Sequence, residues 1–315
     1  MIANTSNSTS STLRLPFALN EGALDQFILE TPKVLVSKGL SRFERAYLVS
    51  LGFESSEDAR IQRFPVLGTA SAKTEKGELM SYLTGICYLS PAFESGFINI
   101  CLWAKNCKAL CLNTSGRGAF TSVQKARRIK TARLAGYGVE WFLLNAVLDI
   151  RKIVQRAEKK GFKAAVRLDG TSDLGLVNHP IQSLGNQTLA QLFPTVEFYE
   201  YSKSFSRMAK FLNGEFPRNV HFTFSLDGET NRNSAQIVLA KGGNVAACFE
   251  GALPETFMGA QVFDGDSSDL RFLDARANTA PCVFDATPQS SGGYIIGLKA
   301  KGKAKALRNG FVQIA

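Results

Sequence analysis

The stretch VEWFLLNAVLDIRKIVQRAEKKGFKAAVRLDGTSD, residues 139–173, indicates the fold class of this chain. Residues 139–160 place apolar side chains three and four positions apart, with Arg, Lys and Glu between them, which predicts an amphipathic helix. Gly161 follows, and glycine is typical of the position at which a helix ends. A short apolar segment then leads into Asp169 and further turn-forming residues. Helix, glycine, strand and polar turn in this order indicate one unit of a parallel α/β sheet.

The same design recurs on both sides of this stretch. MSYLTGICYLSP, residues 80–91, is an apolar, β-prone run, and TVEFYEYSKS and VHFTFSLDGET are strand-like runs that end in polar turns. AQIVLAKGG, NVAACFEG, GAQVFDGDSSD and GYIIGLKAKG follow between residues 235 and 302. The alternation predicts an α/β fold, namely a TIM-like (βα) barrel or partial barrel with mostly parallel strands and an N-terminal extension.

The domain organisation follows from length and composition. A chain of 315 residues, 45% hydrophobic, can bury one large core. We predict a flexible polar arm over residues 1–20, where Ser and Thr abound, and a single barrel-like domain over residues 21–315 with a cysteine loop at 95–118. Residues 21–78 show no regular period, and their structure is not predicted.

Composition also narrows the classes of partner. No export signal and no run of about 20 apolar residues is present, so we expect a cytoplasmic protein without a membrane segment. A chain of this size has core enough to need no disulfides from its six cysteines. The net charge of +10 makes nucleic acid a candidate partner at low salt.

Three cysteines lie close together in ICLWAKNCKALCLNTSGRG, residues 100–118. Cys101, Cys107 and Cys111 are spaced C-x5-C-x3-C in the loop after the strand predicted within residues 80–91. This spacing can wrap three thiolates around one small inorganic core while backbone N–H groups of the turns donate to the sulfides. We therefore predict a 4Fe-4S cluster with three cysteine ligands and one open iron.

Alternatives to this cluster stay open at the level of sequence. Cys87 and Cys282 are candidates for a fourth ligand, Cys248 a weaker one, and three unligated thiols are a further alternative. Zinc is the chief rival, but no C-x2-C pair is present and only His179 and His221 could assist. The sequence also leaves open whether the cluster transfers electrons, senses or catalyses.

Polar residues directly after the predicted strands are candidates for lining a site, because ligands of parallel α/β folds bind at the carboxyl ends of strands. Ordinary turn formation is the alternative for each of them alone. These candidates are Arg167, Asp169, Thr171, Ser172, Asp173, Tyr201, Lys203, Ser225, Asp227 and Glu229. A later loop brings together carboxylates and a guanidinium, for which ion pairing within the turn is the alternative. Its residues are Asp264, Asp266, Asp269 and Arg271.

Basic residues suggest a second class of function. QKARRIKTARL contains Arg127, Arg128 and Lys130, and the tail KAKGKAKALRNGF is rich in lysine. They would suit a nucleic-acid-binding protein stabilised by zinc or a cluster, with binding that falls steeply as salt rises. A solvated helix face and a lysine-protected edge strand are the alternatives.

The order of strand, three-cysteine loop, long helix and strands with polar ends resembles the first half of a radical S-adenosylmethionine (radical SAM) enzyme. That resemblance implies a partial or full α/β barrel, a cluster held by three cysteines and S-adenosylmethionine as a cofactor. The loop differs from the C-x3-C-x2-C spacing usual in that class, and no Gly-Gly-Glu run follows the second strand.

A second resemblance is carried by YLSPAFESG, CLWAKNCKALCLNTSGRG, QKARRIKTARL, VRLDGTSD, FDGDSSDLRFLD and GLKAKGKAKALRNGF. Over roughly residues 84–312 these motifs are similar to the bacteriophage gene product 88 family. The resemblance implies a phage source and the host cytoplasm, with an unknown substrate or redox partner. It also favours these residues as parts of a site: Arg167, Asp169, Ser172, Asp173, Asp266, Asp269 and Arg271.

Overall fold

The computed structural model describes residues 38–53, 62–274, 293–306 and 308–314. The predicted arm, residues 1–20, and Cys282 lie outside these residues. The helices are α1 (Arg42–Ser50), α2 (Ala72–Glu78), α3 (Thr121–Tyr137), α4 (Val139–Lys160), α5 (Leu189–Leu192), α6 (Phe205–Leu212) and α7 (Arg232–Ala240). The strands are β1 (Lys38–Gly39), β2 (Gln62–Arg63), β3 (Tyr82–Ile86), β4 (Lys163–Arg167), β5 (Glu197–Ser202), β6 (Val220–Ser225), β7 (Val245–Phe249), β8 (Thr256–Phe257), β9 (Ala260–Asp264), β10 (Ile295–Lys299) and β11 (Val312–Gln313).

The main sheet has nine strands and is mostly parallel. β3 to β7 lie side by side in chain order, each parallel to the next. β10 pairs in parallel with β7 and β9, β11 also pairs in parallel with β7, and β8 adds an antiparallel edge. β1 and β2 form a separate antiparallel pair. This arrangement confirms the predicted mixed α/β class with mostly parallel strands.

The sheet is not closed, so the predicted TIM-like barrel is not confirmed. β3 and β8 are its edges, and in the described part of the chain the free side of β3 makes only one isolated bridge, between Gly68 and Ile86. A short 3-10 turn, Arg271–Leu273, occupies the concave side instead. Its Phe272 ring lies 5.1 Å from the ring of Tyr82 and 5.8 Å from that of Tyr199. Side chains of this turn thus pack on the face of the sheet that carries Tyr199, opposite the helix-side core.

Helix α4 covers the residues predicted for it and ends as expected. Gly161 adopts the left-handed conformation with φ 67° and donates its N–H to the Ala157 carbonyl. The apolar face of α4 packs against β3 and β4, where side chains such as Phe142 and Val147 are fully buried. Each such side chain contributes roughly 1.5–3 kcal/mol to folding.

Two polar residues that interrupt the apolar face of α4 bind backbone of the preceding segment. Asn145 Oδ1 accepts from the Phe64 N–H at 3.0 Å. Asp149 Oδ2 accepts from the Val66 and Leu67 N–H groups at 2.6 and 2.9 Å. Buried backbone donors need such partners, so these side chains fix residues 64–67 against the helix.

Alternating residues of the central strands separate an apolar face from a more polar concave face. On β5, Phe198 belongs to the helix-side core, whereas Tyr199 packs with Ala165 and Phe272 on the other side. The residues that follow these strands, including Lys203 and Asp227, lie at one edge of the sheet, where the parallel strands end. The fold thus places polar side chains around one region at the carboxyl ends of the strands.

Candidate functional site

A cavity of about 250 Å³ lies at the carboxyl ends of the parallel strands. Residues at or after β4, β5, β6, β7, β9 and β10 line it, together with α2 and the cysteine loop. Ligands of parallel α/β proteins bind at this end of the sheet. The cavity is therefore the candidate site.

Cys101, Cys107 and Cys111 all line this cavity. Cys101 Sγ accepts a hydrogen bond from the Ala92 N–H at 3.3 Å and lies 3.6 Å from the carbonyl oxygen of Thr171. The two later cysteines lie at short 3-10 turns, Asn106–Lys108 and Leu112–Thr114. The loop thus brings the three predicted ligands to one cavity.

The three thiols are protonated at neutral pH when no metal is bound. Burial raises the pKa of Cys101 to about 12, and burial also raises the pKa values of Cys107 and Cys111. The N–H of Asn113 and the ammonium of Lys203 oppose this effect at Cys111 and Cys107, respectively, by hydrogen bonding to sulfur. Metal binding would displace these protons.

The other cysteines and the histidines occupy different places. Cys87 is fully buried in the helix-side core, and Cys248 lines the cavity from β7. His221 Nε2 lies 2.7 Å from Glu197 Oε2. Across the described ranges, no three His, Cys, Asp or Glu side chains are close enough together to hold a single metal ion.

Asp227 holds the centre of the cysteine loop. Its carboxylate accepts from the N–H groups of Lys105 at 2.7 Å and Cys107 at 2.8 Å. Its carbonyl accepts from Asn106 Nδ2 at 3.1 Å. The sequence predicted Asp227 as a cofactor-binding residue, and the structure places it as the carboxylate that positions the Cys107 backbone.

Asp169 organises the loop after β4. Its carboxylate accepts from the Ser172 hydroxyl at 2.5 Å and from the N–H groups of Leu174, Gly175 and Leu176 at 3.1, 2.7 and 3.2 Å. Asp169 and Ser172 both line the cavity. Their contacts with each other and with the backbone hold the loop after β4, which forms part of the cavity wall.

Asp173 links three segments around the site. Its N–H donates to the Ile100 carbonyl, next to Cys101, at 3.0 Å. Its carboxylate accepts from the Ser202 hydroxyl at 2.8 Å, from the Lys203 N–H at 2.7 Å and from the Arg207 guanidinium. The start of the cysteine loop is thereby tied to the end of β5.

Lys203 is the cation nearest to the cysteines. Its Nζ donates to the Ser225 hydroxyl at 2.7 Å and also reaches the Cys107 sulfur. Burial alone would lower the pKa of Lys203, but electrostatic interactions with the Cys107 sulfur and with the carboxylates of Asp227 and Asp173 outweigh burial and raise it. Lys203 therefore stays charged beside the sulfur.

A buried network of ion pairs lines part of the cavity. Asp269 accepts from Lys73 Nζ at 2.7 Å, from Arg167 Nη1 at 3.3 Å and from the Tyr199 hydroxyl at 3.3 Å. Burial would raise the pKa of Asp269, yet the charges of Lys73 and Arg167 lower it to about 2. The Arg167 guanidinium also stacks on the Tyr201 ring, 4.5 Å from its centroid.

Asp266 and Arg271 differ in their relation to the cavity. Asp266 lines it, accepts from the Lys299 N–H at 2.9 Å and pairs with the Lys301 ammonium. Arg271 is buried behind the loop, donates to the Gly265 carbonyl at 3.2 Å and does not line the cavity. Arg271 therefore shapes the loop from behind.

Lys73 and Lys76 were missed by sequence reasoning. Both lie on α2 and line the cavity, and Lys76 Nζ donates to the Asp266 carbonyl. They lie in residues 21–78, where no period or motif indicates a position in the fold. No signal in the sequence connects them with a loop almost 200 positions later.

The basic residues of α3 have internal partners. Arg127 donates to Asn113 and lies over the Tyr88 ring, and Arg128 Nε donates to the Ser95 carbonyl at 3.1 Å. Lys130 Nζ donates to the Val66 carbonyl at 2.5 Å. These three side chains thus contact the cysteine loop and its surroundings, while Arg128 stays exposed and Lys130 half-buried.

Fold and site together define an α/β protein with an open, mostly parallel sheet and a cysteine-lined cavity at the carboxyl ends of its strands. The family model described as Gene product 88 matches residues 65–312. The chain therefore belongs to this bacteriophage family, as its motifs predicted. No curated protein and no solved structure matches the chain, so the comparisons give the radical SAM resemblance no support. None of the described helices has the length and apolar character required to span a bilayer.

Proposed function

We propose that Cys101, Cys107 and Cys111 ligate a 4Fe-4S cluster whose fourth iron is open to the cavity. The observation that carries the proposal is that all three thiols line one cavity at the carboxyl ends of the strands. In such a cluster each thiolate binds a different iron. The thiols therefore need not converge on one point, as the ligands of a single zinc ion must.

Local donors suit sulfur ligands that carry negative charge. The N–H of Ala92 donates to Cys101, the N–H of Asn113 to Cys111 and the ammonium of Lys203 to Cys107. Hydrogen bonds to ligand sulfurs stabilise and tune iron–sulfur clusters. Each cysteine thus has one donor of its own, which supports a role as a ligand.

The positions of the two other cysteines within the described residues support an open iron. Cys87 is buried in the helix-side core, away from the cavity. Cys248 lines the cavity, but its main electrostatic neighbours are Asp266 and Lys301 rather than the three cysteines. A cluster with an open iron supports redox or radical chemistry on a bound molecule, and S-adenosylmethionine is one candidate for that molecule. We propose that this occurs in the host cytoplasm, where thiols stay reduced.

Replacement of one ligand tests the proposal. In anaerobically purified protein, Cys107→Ala should abolish the visible absorbance of the cluster. Cys248→Ala is the matched control, because it removes a thiol of the same cavity, and it should leave that absorbance unchanged. Full absorbance in Cys107→Ala would refute the assignment.

A further inference from the structure

One side of the cavity is rich in lysine. Lys73 and Lys76 on α2, Lys299 at the end of β10 and Lys301 just after it all line the cavity. The cysteine loop is held by the loops after β4 and β6 and also packs on the segment around Lys301, where Leu110 contacts Ala300 and Ala304. Lysines and cysteines therefore line the same cavity.

Two of these four lysines form no ion pair with a carboxylate in the described part of the chain. Lys73 pairs with Asp269 and Lys301 with Asp266. Lys76 Nζ donates to the main-chain carbonyl of Asp266, which carries no net charge. Within the described ranges, no hydrogen bond or ion pair of the Lys299 ammonium is found. Two ammonium groups are thus available to an anion.

Tyr201 adds a neutral donor to the same cavity. Its ring lies beneath the Arg167 guanidinium, and its hydroxyl has no hydrogen-bond partner among the described residues. Burial raises the pKa of Tyr201 to about 12, so the hydroxyl keeps its proton. Arg167 Nε is a buried donor without a hydrogen-bond partner among the described residues. Buried polar groups without partners are rare in folded proteins.

We infer that the cavity binds a small molecule with a carboxylate or phosphate group, held by Lys76 and Lys299, while the Tyr201 hydroxyl donates to a polar atom of the same molecule. A cavity of about 250 Å³ suits a small molecule. The inference deepens the proposed function, because this molecule would lie beside the open iron. The anion site itself consists of protein groups and does not need the cluster.

Calorimetric titration of the full chain, purified anaerobically, tests the inference. Inorganic phosphate and succinate are titrated separately, so that the two anion chemistries are distinguished. The double variant Lys76→Gln and Lys299→Gln should bind the preferred probe at least about tenfold more weakly, because hydrogen bonds to charged groups are the stronger class. The control replaces Lys303 and Lys305, exposed lysines of the same tail that do not line the cavity, and should bind as the wild type does.

Tyr201→Phe separates binding from folding. Because the hydroxyl has no partner among the described residues, the variant should keep the wild-type unfolding midpoint and bind the preferred probe more weakly. Equal affinities in the two double variants, or no binding of either probe, would overturn the anion site without affecting the cluster proposal. Lysine-dependent binding by protein that lacks iron and sulfide would support the anion site and refute the cluster.

Discussion

The carboxylate of Asp227 positions the Cys107 backbone, and its removal should loosen the whole cysteine loop. We expect Asp227→Ala to lower the unfolding free energy by about 2–4 kcal/mol, because two backbone N–H groups lose a charged acceptor. Iron content should fall as well, although no cysteine is altered. Urea unfolding and iron analysis measure both effects.

Glu229 provides the matched control for Asp227. It lies in the same loop, and its carboxylate pairs with Arg232 at the surface. Exposed ion pairs contribute little to stability, so Glu229→Ala should retain both stability and iron. A loss of iron of equal size in both variants would contradict the role given to Asp227.

Asp269 makes the unfolding free energy of the protein depend on pH in the acid range. Because its pKa falls from 3.8 to about 2 on folding, the unfolded chain holds more protons between these values. The charge of Asp269 therefore contributes about 2 kcal/mol of stability at neutral pH, and this contribution is lost as the pH falls from about 4 towards 2.

Asp269→Asn isolates this contribution. The difference in unfolding free energy between wild type and variant should be largest near pH 7 and shrink below about pH 4. Denaturant unfolding of both proteins at several pH values measures this difference. Because the other carboxylates titrate in both proteins, their contributions cancel when the two free energies are subtracted. If the difference in unfolding free energy stayed constant from pH 7 to about pH 2, Asp269 would not be stabilised by the ion pairs with Lys73 and Arg167.

The sequence predicts the position and contacts of some site residues but not of others. The convergence of Cys101, Cys107 and Cys111 on one cavity follows from their spacing in one loop. The roles of Asp169 and Asp227 do not follow, because a carboxylate after a strand looks the same whether it binds a ligand or the backbone. Lys73 could not be predicted, since its contact with Asp269 joins segments far apart in the chain.

At the scale of elements, the close approach of β3 to the loop after β4 depends on Gly170. A Cβ there would lie 2.5 Å from the Cys87 carbonyl oxygen and 2.8 Å from Ile86 Cγ2. We expect Gly170→Ala to cost about 1–3 kcal/mol of stability by overpacking. It should also lower cluster content, because Thr171 and Asp173 of the displaced loop contact the start of the cysteine loop.

Gly68 offers a control on the other side of β3. A Cβ at Gly68 would meet its nearest neighbour, the Ile86 carbonyl oxygen, at 3.7 Å, which is an ordinary contact. Gly68→Ala should therefore keep stability and iron content close to wild type. Thermal unfolding together with iron analysis distinguishes the two variants, and equal behaviour would contradict the proposed role of Gly170.

Elements with a long, regular pattern were the most predictable. The period of α4 and the glycine after it define both of its ends. The strand predicted within residues 80–91 is confirmed, although it is shorter and spans Tyr82–Ile86. α1 and α2 could not be predicted, because they are short and depend on contacts such as that of Glu44 with Arg63.

For the whole molecule, the parallel order of β3 to β7 follows from alternating strands and helices, whereas closure of the sheet does not. Closure depends on whether the last strands reach β3, and here the turn containing Phe272 fills the concave side. α2 is linked to the loop after β9 by the ion pair between Lys73 and Asp269. These contacts arise only in the complete fold.

Iron and acid-labile sulfide analysis of anaerobically purified wild-type protein, with electron paramagnetic resonance of the reduced form, tests whether the three cysteines hold a 4Fe-4S cluster. We predict about four irons and four sulfides per chain and a cluster signal that changes when a small molecule binds the open iron. S-adenosylmethionine, phosphate and succinate are the probes. Zinc without sulfide, or protein without metal after anaerobic preparation and reconstitution, would contradict the account.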